Sequence, residues 1–128
     1  MFTIGKTYHR RNELHKKYGG NQQSGISACA KYPIVFLFTS PRGKEHGYRD
    51  RWLSNVIFQY TGEGLYGDME LIRGNRAIQN HKEDGRELHL FQQIDIGQYV
   101  YLGRFEYVDH EVKSGEDTDR NSRKMIIF

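Results

Sequence analysis

The sequence predicts an α+β domain that is mostly β, with six or more strands and two short helices. Three observations carry this. A β-branched and aromatic run, Ile34-Val35-Phe36-Leu37-Phe38, has no polar break. Aromatic residues make up 13 % of the chain, and its 14 glycines punctuate short apolar segments. Only two segments carry helical spacing. Many short aromatic strands separated by glycine turns produce this pattern.

The elements follow in order. Arg10 to Tyr18 reads as a short helix, with Leu14 and Tyr18 four apart and Gly19-Gly20 ending it. Asn21 to Gly25 is a polar loop. Ile34 to Phe38 is a strand buried on both faces, because neither parity of its residues is polar. Ser40 to Gly47 is a turn-rich loop with Lys, Arg and His. Val56, Phe58 and Tyr60 alternate with Ile57, Gln59 and Thr61, so a period of two predicts that the first three face inward together. Gly62, Gly64, Gly67 and Gly74 mark a long irregular loop. Asn75 to His81 is predicted as one or two helical turns with Asn75 as N-cap. Asp84-Gly85 signals a tight turn. Leu88 to Phe91, Tyr99 to Leu102 and Phe105 to Val108 are successive strands, with Gly97 and Gly103 between them. Ser114 to Arg123 is expected as a charged loop, and Met125 to Phe128 as a last strand that ends abruptly, as in a domain cut from a larger protein.

Size and charge bound the function. A chain of 128 residues makes one domain, 1–128, with no room for a second module beside it. Nineteen Lys and Arg against 16 acids give a net charge of +3, mildly basic, which suits an interface touching some phosphates and equally an ordinary surface. Cys29 is the sole cysteine, so an intrachain disulfide and a cysteine zinc site are excluded. A buried structural role is the better account of it. Met1 to Arg10 has no apolar segment of a signal peptide and no run is long enough to span a bilayer, so a cytoplasmic rather than a secreted location is expected. The six histidines form no ligand pair, and the acids of 109–119 lack the alternating oxygens of a cation loop, so no metal and no cofactor is expected. Gly62-x-Gly64-x-x-Gly67 has dinucleotide spacing without the βαβ unit that spacing requires.

Two tyrosines stand out: Gly47-Tyr48-x-Asp50, and twelve positions later Tyr60-Thr61-Gly62-Glu63-Gly64. Taken singly, tyrosines of a β domain are core residues. Taken together, two rings beside glycines and carboxylates are the parts of a pocket for an extruded base. The ordered set continues with Asp68, with Asn75-Arg76-Ala77-Ile78, and with Gln98-Tyr99-Val100-Tyr101-x-Gly103-x-Phe105. This succession, from Thr3 to Phe128, resembles the SRA (SET- and RING-associated, YDG) domain, and its Glu63 and Gly67-Asp68-Met69 variant is similar to prokaryotic members fused to HNH nucleases.

The resemblance implies a PUA-like twisted β-barrel that flips 5-methylcytosine or a relative such as 5-hydroxymethylcytosine out of duplex DNA. It implies a non-catalytic reader, with nuclease activity on a fused or partner domain of a modification-dependent restriction endonuclease. Tyr48 and Tyr60 would stack on the base, at about 1–3 kcal/mol per base. The family's reading aspartate falls at Arg51, which has no acceptor. Asp50 or Glu63 would replace it, with the backbone of Thr61 and Gly62 at the Watson–Crick edge. Gly47 and Gly25 would floor the recess for the 5-substituent. Gln22 or Gln23, or the loop at Leu65-Tyr66, would fill the gap left in the stack. Lys6, Arg10, Arg11, Arg42, Lys44, Arg51, Arg73 and Arg76 are candidate DNA contacts. The alternatives are an RNA-binding PUA-like module, and an enzyme acting on a flipped base with Asp50, Asp68 or Glu63 as acid or base.

Overall fold

A computed structural model describes residues 2–22, 24–40, 50–63, 68–116 and 122–128, with the backbone alone across 113–116 and 122–127. Its strands are β1 (Thr7–His9), β2 (Ile26–Ala28), β3 (Ile34–Thr39), β4 (Arg51–Trp52), β5 (Phe58–Gln59), β6 (Glu87–Asp95), β7 (Gln98–Phe105), β8 (Glu111–Glu116) and β9 (Ser122–Ile127). Helix α1 is a wide π-type segment, Arg10–His15, that tightens into Lys16–Tyr18. Helix α2 is Arg73–Gln79.

Five strands form one sheet in the order β1-β7-β6-β3-β2, and two hairpins, β4-β5 and β8-β9, stand apart from it. The sheet is twisted but open, with β1 and β2 as edges, so the expected barrel is not closed. β3 runs parallel to β6, and every other pairing is antiparallel. A parallel neighbour demands a crossover. Here the crossover carries β4, β5 and α2, the elements that hold the sequence's candidate site.

All six residues of β3 are buried, as the unbroken apolar run predicts. The reason is two cores. Ile34, Phe36 and Phe38 point toward α1 and join Tyr8, Leu14, Tyr18, Phe91 and Tyr101. Val35 and Leu37 point toward α2 and join Ile26, Tyr60, Ala77, Ile78, Leu88 and Leu90. In the first core the ring of Phe2 lies within 5.2–5.5 Å of those of Tyr8, Tyr18, His89, Phe91 and Tyr101. Each such pair adds about 0.5–1.5 kcal/mol beyond area burial.

Several sequence expectations need correction. Val56 does not face inward with Phe58 and Tyr60; it is 79 % exposed. The strand pairing reaches only Phe58. Before it the chain turns, closed by Leu53 N donating to Ile57 O and by Ser54 Oγ accepting from Val56 N and Ile57 N, so no period of two passes through Val56. Gly103 does not separate strands. It sits inside β7 at a bulge, with φ of 135° where the register shifts opposite Leu90 and Phe91; that conformation is why glycine is there. Gly97 does turn the β6–β7 hairpin. The expected charged loop at Ser114 to Arg123 is largely the β8–β9 hairpin, whose register reaches Glu116 opposite Ser122; residues 117–121 lie outside the described set. Asn75 is not an N-cap. Helix α2 starts two residues earlier, after Ile72, and Asn75 is buried within it.

Two buried histidines are held neutral. His15 Nδ1–H donates to Gly19 O at 2.8 Å while Nε2 accepts from Arg10 Nε at 2.9 Å. Burial lowers its pKa, and the Arg10 charge adds to that against the opposing bond to Gly19. His89, 2.6 Å from the Tyr101 hydroxyl, is also lowered, again chiefly by burial. Folded values below the unfolded value of 6.5 mean that the unfolded chain binds protons first. Stability is therefore expected to hold from about pH 8 to pH 7 and to decline as pH drops through about 6.5. Thermal melting between about pH 8 and 5.5 checks this, and a midpoint that rises on acidification would contradict it.

Candidate nucleic-acid interface

The end of β3 is the anchor of the site. The Tyr60 hydroxyl lies 2.9 Å from Phe38 O and 3.0 Å from Gly25 O, and donates its one proton into that carbonyl pair. Gly25 O also accepts from Phe38 N at 2.7 Å, extending the β2–β3 ladder. A Cβ on Gly25 would stand 3.3 Å from the Tyr60 hydroxyl, so the glycine makes room for that tyrosine. Tyr60 exchanges both backbone hydrogen bonds with Phe128, at 3.0 and 2.8 Å. Its ring packs in the α2 core and is 6 % exposed. Burial, and then the charges of Asp50 and Glu63, push its phenol pKa far up, so the hydroxyl remains a donor.

Asp50 joins the same strand end to the following turn. One carboxylate oxygen accepts from Thr39 Oγ1 at 2.7 Å and the other from Thr61 N at 2.7 Å. Burial raises its pKa, against hydrogen bonds from the Thr61 backbone and from the Thr39 and Thr61 side chains that favour the charge. Both oxygens are thus engaged in bracing the Tyr60-Thr61 turn.

Glu63 and Asn75 hold the other side of that turn. Asn75 Oδ1 accepts from Glu63 N at 2.8 Å, and its Nδ2 donates to Glu63 O and Glu70 O, each at 3.0 Å. One side-chain amide so serves three backbone groups from two segments. Glu63 Oε1 accepts from Gly74 N at 2.9 Å. A Cβ at Gly74 would fall 2.7 Å from the Glu63 carboxyl carbon and 2.9 Å from Ile26 Cβ, so only glycine fits. Arg73, just before it, has φ of 48°, a left-handed conformation that costs a non-glycine residue roughly 1 kcal/mol.

Arg10 fixes the neighbouring loop. Its guanidinium stacks over Phe38 at 3.7 Å and donates to Asn21 O at 3.0 Å and Ser24 O at 2.5 Å. Ser24 N in turn donates to Asn21 Oδ1 at 3.0 Å. Arg10 therefore braces this loop against β3. Burial lowers its pKa, yet a guanidinium stays charged.

A polar groove of about 1010 Å³ opens beside these braces. Gly25, Glu63, Arg73 and Arg76 line it, with Asn21 and Asp68. Arg51, Arg73, Arg76 and Gln22 are all exposed. Of the residues singled out from sequence, Tyr60, Asp50, Thr61, Gly62, Glu63 and Gly25 are brought together around the end of β3 and the turn after β5. Arg73 and Arg76 flank the same groove. Tyr48, Gly47, Lys44, Arg42, Gln23 and Leu65-Tyr66 lie outside the described residues. Among the described residues no group of three His, Cys, Asp or Glu is placed to hold a metal. Sequence reasoning missed Thr39, Gly74 and the bracing roles of Arg10 and Asn75. Asn75-Arg76-Ala77 was visible as a motif, but read as a helix start its amide was assigned to capping the helix and not to the Glu63 turn.

The chain is similar to known proteins in sequence and in fold. A sequence model described as the ScoMcrA-like SRA domain matches residues 4–128. The sulfur-binding and SRA domains of ScoMcrA, in complex with phosphorothioated DNA, match at 26 % identity with a TM-score of 0.76, over all of this chain and 39 % of that one. ScoMcrA itself, a Type IV phosphorothioation-dependent restriction endonuclease, matches at 26 % identity and a TM-score of 0.77, over all of this chain and 27 % of that one. The chain thus spans well under half the length of either. The SRA domain of SUVH5, bound to fully hydroxymethylated CG DNA, shares the fold at 21 % identity and a TM-score of 0.70, over 98 % of this chain and 85 % of that one. No curated protein sequence matches.

Asn75→Ala removes one acceptor and two donors at a buried position, leaving three backbone groups without their partner. Equilibrium urea unfolding is expected to show a loss of about 2–4 kcal/mol, from roughly 1–3 kcal/mol per group left unsatisfied with partial rescue by water. A loss below about 0.5 kcal/mol would contradict the bracing role.

Proposed function

The chain belongs to the ScoMcrA-like SRA domain family, and on that premise we propose that it is a non-catalytic reader of a modified base in duplex DNA. The preferred ligand is 5-methylcytosine or a related modified cytosine, flipped into the space between Gly25, the Tyr60–Glu63 turn and the loop that carries Tyr48. The observation that carries this reading is the convergence of Asp50, Thr39, Gly25 and Asn75 on one turn. Gly25 O accepts from the Tyr60 hydroxyl, Asp50 from Thr61 N, and Asn75 bonds Glu63 N and O, all at 2.7–3.0 Å, while Thr39 holds Asp50 at 2.7 Å. Such preorganisation offers a flipped base a fixed set of backbone donors and acceptors.

The roles follow from what each group has left to give. Both Asp50 oxygens already accept bonds, so Asp50 acts by placing the Thr61 and Gly62 backbone at the base edge. Glu63 stands beside the groove and supplies the acceptor for the N4 amine. Tyr48 supplies one stacking face. Tyr60 supplies the other, and at 6 % exposure it does so only when the chain covering it gives way as the base enters. Gly47 and Gly25 floor the 5-substituent. Gln22, Gln23 and Lys44, with Arg51, Arg73 and Arg76, meet the duplex, and the +3 charge favours that approach. The strained backbone of Arg73 fits a side chain held for contact rather than for stability.

This reader would serve a modification-dependent restriction system, with cleavage by a domain elsewhere in the same or a partner chain and the whole acting in the cytoplasm. Phosphorothioated DNA is bound in the ScoMcrA complex, so that duplex belongs in the test.

The test is binding at one fixed salt to duplexes carrying cytosine, 5-methylcytosine, 5-hydroxymethylcytosine, its glucosylated form, or a backbone phosphorothioate. At least a tenfold preference for one modified cytosine is expected, about 1.4 kcal/mol. Tyr48→Ala and Glu63→Gln should each erase most of it, whereas Asp50→Asn, which keeps an acceptor for Thr61 N, should retain most. Equal affinity for all cytosine duplexes would overturn the assignment.

A further inference from the structure

The turn that joins β6 to β7 carries side chains that a turn does not need. Asp95 pairs with Gln98, which leaves Ile96 and Gly97 as a two-residue loop. Gly97 supplies the positive φ, 69°, that such a turn requires. Turn positions favour Gly, Pro, Asn, Asp and Ser, which preset the backbone or hydrogen-bond to it. The position before this glycine holds instead a branched aliphatic side chain, 90 % exposed, and Ile94 just below it is 58 % exposed. Neither belongs to the two cores.

The tip is fixed in place. Asp95 Oδ1 accepts from Ile96 N at 2.7 Å, and Gly97 O accepts from Arg10 N at 2.9 Å. A Cβ at Gly97 would stand 3.0 Å from His9 Nε2, so the turn is seated closely on the start of α1. Two exposed isoleucines on one fixed turn contribute little to the fold and mark a contact surface.

Topology says what that surface faces. β3 and β6 run parallel with Thr39 opposite Gln92. The tip therefore leaves the sheet at the end where Thr39 holds Asp50 and Asp50 holds Thr61. Ile96 is four residues past Gln92 and one strand over from Thr39. At about 3.3 Å per residue and 4.8 Å between strands, its Cα lies within roughly 14 Å of that of Thr39, about four base-pair steps of duplex. For Ile94 the same spacing gives roughly 8 Å. A duplex that delivers a base to the braced turn comes within reach of this tip. A two-stranded ribbon fits the major groove, where aliphatic side chains pack on thymine methyls.

We propose that the β6–β7 tip enters the major groove beside the extruded base, with Ile96 as its apolar contact and Ile94 behind it. This rests on the reading of the chain as a base-flipping DNA reader, and adds to it a residue that positions the duplex and senses the flanking bases.

The test measures binding of the wild-type chain, Ile96→Ser and Ile96→Leu at one fixed salt. The duplexes share one sequence and carry cytosine, 5-methylcytosine or 5-hydroxymethylcytosine between thymine-rich flanks. A twin of each has uracil, which lacks the methyl, in place of every thymine within about four base pairs. Ile96→Ser is expected to weaken binding to the preferred modified duplex at least tenfold with an unchanged melting temperature, and Ile96→Leu to bind as the wild type does. Uracil is expected to weaken the wild type and to leave Ile96→Ser indifferent. A wild type that prefers a modified duplex beside an Ile96→Ser that binds it equally well would overturn the proposal and leave the reading of the base intact. A wild type with no preference among the three cytosines would overturn that reading itself. Equal wild-type affinity for the thymine and uracil twins would remove the tip from the major groove. Concentration-dependent sedimentation of the chain alone, abolished by Ile96→Ser, would assign the tip to a second copy and also overturn the proposal.

Discussion

Everything near the site hangs on the end of a strand that has no free face. β3 is buried by α1 on one side and α2 on the other, so its position is set by both cores at once. Its last two residues then spend their polar groups outside the sheet. Phe38 O accepts from the Tyr60 hydroxyl, and Thr39 Oγ1 donates to Asp50. Residues in the crossover that follows β3 are thereby tied to a strand buried on both faces. A reader that must place backbone donors against a base edge to within a fraction of an ångström needs such a reference.

The braces are polar and mostly buried, and that has a cost. Asp50 is a carboxyl in a site that penalises its charge, and Asn75 is an amide inside a helix face otherwise made of Ala77 and Ile78. Replacing either with an apolar residue would leave backbone groups unpartnered, which is why the arrangement is all or nothing. Specific polar networks of this kind fix one conformation where packing alone would allow several. The same logic applies to Arg10, whose guanidinium ties the Asn21–Ser24 loop while lying flat on Phe38, so that loop too is referred to β3.

The legible parts of the sequence were those where one local rule decides. Ile34 to Phe38 could only be a doubly buried strand, since neither parity was polar. The Tyr60-Thr61-Gly62-Glu63 turn and Asn75-Arg76-Ala77 were visible as an ordered set, and the family followed from that order. What failed was local inference where tertiary contact decides. Val56 obeyed the period of two on paper, but Ser54 closes a turn that ends the strand before it. Gly103 looked like punctuation because a glycine in a bulge and a glycine between strands are the same letter. Asn75 met the rule for an N-cap, yet its amide bonds to Glu63, twelve residues earlier, a pairing that no local rule contains. Arg10 and Arg73 look alike as letters; one, half-buried, ties a loop to β3 and the other is exposed at the groove.

The central claim is that the modified cytosine leaves the helix and enters the space bounded by this braced turn. The most direct measurement places 2-aminopurine next to the modified cytosine in a duplex and follows its fluorescence as the chain binds. If the base is extruded, the neighbour loses its stacking partner and emission rises on binding, in proportion to occupancy, and the rise disappears with Tyr48→Ala. Binding that saturates with no rise in emission would mean that the duplex stays stacked, and base reading by extrusion would be contradicted.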